Sequence, residues 1–204
     1  MKKGLKITVK KSMGILPMMG LLLLTACGSL GNGTDETRIS LNKDGSIHSY
    51  ITESFDKEYY LQEELQQMIL SEAASYNRNT GESRITVEKV EVTEQIATVE
   101  MTYTTSEDYS AFNDGIFFVG SPAGAAEAGY DLNVVLSSVE NPNETIGESD
   151  ILVMEDLTLL ITDVPEKVEF FGKAVYADDH AILSENQKAL LSAEDRGISY
   201  ILFK

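Results

Sequence analysis

Residues 96–104 constrain the fold more than any other part of the chain. Ala97, Val99, Met101 and Tyr103 fall on one side of an extended backbone, and Thr98, Glu100 and Thr102 on the other. Successive side chains of a strand point to opposite faces, so this segment has one dry face and one wet face. Such a strand belongs in an antiparallel sheet with one solvated side, because parallel sheets bury both. The expected class is α+β: an antiparallel sheet of about six to eight strands, with one main amphipathic helix packed on one face.

Neighbouring segments extend this pattern. In residues 84–92, Ile85 and Val87 share one phase and Val90 and Val92 the other, which predicts a bulge near Glu88-Lys89. Residues 38–41 and 47–51, around Asp44-Gly45, read as a hairpin. Leu61, Leu65, Met68, Ile69, Ala73 and Tyr76 recur at helical spacing, which predicts the main helix. Ser54 or Asp56 would cap it, and residues 77–81 would stop it. Ser106 would open a shorter helix through Phe112, ending at Asn113-Asp114-Gly115. Further strands are expected over residues 130–139, 156–162, 168–176 and 198–203, with an exposed loop over 140–149. Residues 181–191 fit strand or helix equally well.

The first 27 residues are of another kind. Lys2, Lys3, Lys6, Lys10 and Lys11 precede an apolar run from Met13 to Leu24, followed by Thr25, Ala26 and the single cysteine, Cys27. The run is twelve residues long and contains Pro17, whereas a membrane span needs ~20. The order of charge, apolar core and small residues is that of a secretory signal.

Leu24-Thr25-Ala26-Cys27 resembles the lipobox of bacterial lipoproteins, and the chain resembles the small uncharacterised surface lipoproteins of Gram-positive bacteria. The resemblance implies that residues 1–26 are a signal peptide, cut just before Cys27. The Cys27 thiol would then carry a diacylglycerol with acyl chains of the palmitate kind, and two such chains anchor stably. It also implies that residues 27–37, Gly-rich and polar, are the lipidated cysteine and a flexible tether. Residues 38–204 would form a single extracytoplasmic domain, lipid-anchored at the cell membrane and facing the cell surface.

Loss of residues 1–26 removes five lysines and no acid, so the formal net charge moves from −17 to −22. So acidic a chain is unsuited to nucleic acid and to electrostatic attachment on anionic headgroups, which both require basic surface. With its one cysteine used by the anchor, the domain depends on packing for stability.

Motifs for chemistry are sparse. The chain has two histidines, His48 and His180, and no Gly-x-Ser-x-Gly elbow. Asp178-Asp179-His180 is the one local metal candidate. Its three side chains could share an ion only from a turn, and further ligands would be needed. Asn42 to Gly45 and Asn113 to Gly115 match fragments of a calcium loop and read better as turns. The small-residue stretch from Gly120 to Gly129 lacks phosphate-loop spacing and permits close packing instead. Tyr109, Phe112, Phe117, Phe118 and Tyr130 flank it and form the candidate binding residues: exposed they would mark a ligand surface, buried a core. No cofactor is implied.

These features lead to a non-enzymatic, lipid-anchored binding or interaction module, its partner a cell-envelope protein or wall polymer. The alternative is a hydrolase of wall polymer or peptide, working through carboxylates or a bound divalent metal.

Overall fold

Residues 36–193 and 197–204 are described by the structure, a computed structural model. Residues 1–35, with the signal-like segment, Cys27 and most of the expected tether, lie outside them. In chain order the first half contains β1 (Arg38–Leu41), β2 (Ile47–Ser54), α1 (Gln62–Thr80), β3 (Ile85–Thr93), β4 (Ile96–Tyr103), α2 (Ser106–Asn113), β5 (Phe117–Gly120) and α3 (Pro122–Glu127). The second half contains β6 (Leu136–Ser138), β7 (Thr145–Ile146), α4 (Glu148–Ile151), β8 (Thr158–Thr162), β9 (Lys167–Phe170), β10 (Ala174–Ala177), β11 (Ala189–Leu190) and β12 (Ser199–Phe203).

The architecture is α+β, with two six-stranded sheets where a single sheet was expected. The first has the order β11-β9-β1-β2-β4-β3 and the second β5-β8-β12-β10-β6-β7. All pairs are antiparallel except β1 with β9, which run parallel. The register of β3 on β4 steps between Val87 and Lys89, the bulge that the phase change predicts. At the β1–β2 turn the Ser46 amide donates to Asp44 Oδ1 at 3.0 Å, while Gly45 supplies a φ of 85°.

The first sheet keeps one polar face. There the Arg38 guanidinium lies 4.2 Å from the centre of the Tyr50 ring, and His48 Nε2 lies 3.8 Å from a Glu100 oxygen. Its other face joins Ile39, Leu41, Ile47, Ile85, Met101 and Tyr103 to Phe117, Leu160, Ile201 and Phe203 of the second sheet in one buried cluster. Ala73 of α1 and Tyr109 of α2 complete that cluster. On the far side of the second sheet a separate core joins Phe118, Leu159, Ile161 and Leu202 with Ala125, Leu132 and Ile151. The second sheet is therefore buried on both faces, and β12 is buried at all five positions. Each fully buried Leu or Ile contributes roughly 1.5–3 kcal/mol.

Several local expectations change. Residues 168–176 are not one strand: β9 lies in the first sheet and β10 in the second, and the chain crosses over at Phe171-Gly172-Lys173. The crossing needs glycine, because a Cβ at Gly172 would overlap the Lys204 carbonyl and lie 3.0 Å from the Phe203 ring. Residues 130–139 are extended in the sheet only at β6, and residues 140–149 hold β7 and the start of α4. Residues 181–191 form no helix; Leu183 bridges to Leu190 beside β11.

Neither Ser54 nor Asp56 caps α1, which begins at Leu61 without a side-chain cap and runs on to Thr80. Gly81, at φ 75°, closes it. Within the last turn Asn77 reaches across to β3: its Oδ1 accepts from the Arg84 and Ile85 amides, at 2.8 and 2.9 Å, and its amide donates to the Ile85 carbonyl at 2.8 Å. The expected stop signal is thus a clamp between helix and sheet. Thr105, one residue before the expected Ser106, caps α2 by accepting from the Asp108 amide at 3.2 Å.

Candidate functional site

The angle between α2 and β5 holds a hollow. Asp114, at φ 54°, turns the chain back at the end of α2. The Ser110 hydroxyl donates to the Gly115 carbonyl, and the Gly115 amide to the Ser110 carbonyl at 3.2 Å. The Ile116 amide then donates to Asp163 Oδ1 at 2.8 Å, while the Asp163 amide donates to the Ile116 carbonyl at 3.2 Å. Helix, turn and the end of β8 are thereby fixed together.

The hollow has a volume of about 510 Å³; Glu107, Asp114 and Asp163 supply three carboxylates to its wall, and among the described residues no basic side chain lines it. Phe117, Phe118 and Tyr130 are its aromatic lining. The Phe118 and Tyr130 rings are 4.9 Å apart and tilted by 50°. Burial raises the Tyr130 phenol above its ordinary range, and the charges of Glu107 and Asp163 raise it further.

The five aromatic candidates do not form one exposed patch. Phe117 and Phe118 are adjacent strand residues and enter the two different cores. Tyr109 meets Tyr103 edge-to-face at 5.0 Å and Phe117 at a tilt at 4.9 Å, and Phe112 meets Tyr76 edge-to-face at 5.9 Å. Tyr109 and Phe112 are therefore core residues between the sheets, and burial holds the Tyr109 phenol well above its usual range. The small residues between them form α3. Ser121 caps it by accepting from the Gly124 amide at 3.0 Å, and Ala125 is fully buried, so close packing accounts for this stretch.

Asp178, Asp179 and His180 occupy a turn, yet their side chains diverge. Asp178 is buried, with Oδ2 accepting from the Tyr200 amide and Oδ1 from the Ala181 amide, both at 3.1 Å. Burial pushes its carboxyl up to about 6. The Asp179 side chain is 95% exposed and lies 3.7 Å from His180 Nε2. Among the described residues, no group of three or more His, Cys, Asp or Glu side chains is placed to hold a metal ion.

Sequence reading missed Glu107, Ser110 and Asp163 and took Asp114 as a turn residue alone. Glu107, Ser110 and Asp114 stand at i, i+3 and i+7 along α2 and its cap, a helix-face spacing that could have found them, whereas Asp163 joins them only through the pairing of β5 with β8. No protein-family model, characterised protein or solved structure matches the chain. No helix among the described residues is long and apolar enough to cross a membrane.

Proposed function

We propose that the chain is a lipid-anchored, non-enzymatic binding module on the extracytoplasmic face of the cell membrane, and that the hollow beside Tyr130 is its capture site. The single observation that carries the reading is the composition of that hollow: three carboxylates, a pair of packed aromatic rings and, among the described residues, no basic side chain in its lining. An ammonium or guanidinium group laid over an aromatic face gains from the ring quadrupole as well as from nearby carboxylates. A basic segment of an envelope protein, or an amino-bearing wall polymer, supplies such a group.

Cys27 is the anchor in this reading and residues 38–204 are one domain, with α1 as the main helix over one face of the first sheet. Ala73 in the core, with Ile69 and Tyr76 packed against it, supports that place for α1. Two residues assigned to the tether already make contacts in the fold. The Thr37 hydroxyl donates to the Thr52 carbonyl at 3.1 Å, and Glu36 accepts from the Ser192 hydroxyl at 3.3 Å.

Calorimetric titration with a lysine-rich peptide tests the site. Binding should weaken with salt, vanish when the lysines are acetylated, and fall roughly three- to tenfold in Glu107→Gln or Asp114→Asn, as for loss of one partly screened charge. Unchanged affinity in both variants would refute the assignment. In the producing cell, Cys27→Ala should leave the chain unprocessed or shed to the medium; processed chain still held at the membrane would refute the anchor.

A further inference from the structure

At one end of the first sheet the start of β1 lies beside the end of β2, the connection from β2 to α1 and the turn between β3 and β4. That connection carries Phe55, Tyr59, Tyr60 and Leu61, none of which enters either core. Tyr60 packs at a tilt against Phe55 and edge-to-face against Tyr59, with both ring pairs 4.9 Å apart. Tyr59 is 73% and Leu61 55% exposed, and Ile96, opposite Ser54, is 45% exposed. Rings that pack on one another and still face water form a patch of the kind that marks an interaction surface.

The occupant follows from where the chain enters. Thr37 is bonded to Thr52, three residues before Phe55, so the polypeptide arriving from Cys27 joins the fold at this same end. Nine residue steps separate Cys27 from Glu36, and at ~3.3–3.6 Å each they span no more than roughly 30 Å. Tyrosine combines an apolar ring with a polar tip and concentrates at the headgroup level of bilayers.

We propose that Phe55, Tyr59, Tyr60 and Leu61 form a membrane-contact surface that settles into the headgroup region of the bilayer to which Cys27 is attached; this rests on the anchoring reading above. Asp56, Glu58 and Glu94 lie in the same two segments, and Lys57 is paired with Asp56 at 3.0 Å. The contact is therefore aromatic and apolar, not electrostatic, and zwitterionic headgroups suit it better than anionic ones. So small a patch holds a free domain weakly. Attachment at Cys27 turns docking into an intramolecular step, at an effective concentration of roughly millimolar.

The chain has no tryptophan, so Tyr59→Trp introduces a single reporter. The full chain carrying it is attached through Cys27 to phosphatidylcholine vesicles whose acyl chains are brominated. The indole emission from position 59 should shift to the blue and lose most of its intensity to the bromines. Val153→Trp, at an equally exposed apolar position (74%) just after α4, should keep its emission. Exchange of phosphatidylcholine for phosphatidylglycerol should reduce the quenching at position 59. Equal quenching at both positions overturns the proposal. So does a reporter at position 59 that remains in water on the vesicles, which would give the patch to a protein partner. Vesicle flotation reads anchoring separately. Should the chain not float, coupling the Cys27 thiol to a maleimide lipid supplies the attachment, and the comparison of the two reporter positions still decides.

Discussion

Asp178 shows how one side chain can close a turn and tie it to a neighbouring strand. Its two oxygens accept from Ala181 in its own turn and from Tyr200 in β12. Its carboxyl titrates at about 6 against an ordinary 3.8, with burial as the main cause. The folded chain therefore holds this proton more tightly than the unfolded chain. The resulting stabilisation is complete below about pH 4 and is lost as the pH rises through about 6. Asp178→Asn cannot titrate, so the wild-type-minus-variant difference in unfolding free energy should be ~2–3 kcal/mol more favourable to wild type at pH 4 than at pH 7. Urea unfolding at the two pH values measures it, and a difference independent of pH would refute this account. The same residue bears on the metal motif: adjacency in sequence puts two carboxylates and an imidazole together, but one carboxylate faces backbone amides and the other faces water.

At the scale of elements, the turn between β3 and β4 is the clearest place to improve the protein. Glu94 and Gln95 have φ values of 52° and 63°, between the paired Thr93 and Ile96. A two-residue hairpin turn of this hand prefers Asn-Gly. Glu94→Asn with Gln95→Gly should raise stability by ~1 kcal/mol, read as a higher urea midpoint at unchanged slope. The hairpins and the bulge were legible because alternation along one strand is a local signal. The split at residues 171–173 was not, because the apolar character of Val168, Phe170, Phe171 and Val175 continues across it while the chain changes sheet. Gly172 was the local sign, and its meaning depends on Lys204 at the far end of the chain. The hollow was legible in part: Phe117, Phe118 and Tyr130 drew notice as aromatics. Its carboxylates did not: Glu107 and Asp114 share one face of α2 at a spacing of seven, but only the pairing of β5 with β8 brings Asp163 beside them. Tyr59 and Tyr60 were overlooked for the opposite reason. They precede a helix whose apolar stripe looked like the whole story of that region.

For the whole molecule, the joint between the two sheets is the vulnerable point. Gly172→Ala should cost ~1–3 kcal/mol by overpacking against the Lys204 carbonyl and the Phe203 ring, measured as a lower melting temperature. Little or no change would mean that the C-terminal strand gives way freely there. The parallel pairing of β1 with β9 has a kinetic consequence. Ser40 of β1 donates a hydrogen bond to Glu169 of β9, at a sequence separation of 129 residues. β1 therefore keeps one flank open through most of the time in which the chain emerges, and it can gain that neighbour only once the chain has been made past residue 170. Pairings of such long range make folding slow and leave strand edges exposed meanwhile. Refolding from urea should accordingly be slow, and its yield should fall as protein concentration rises.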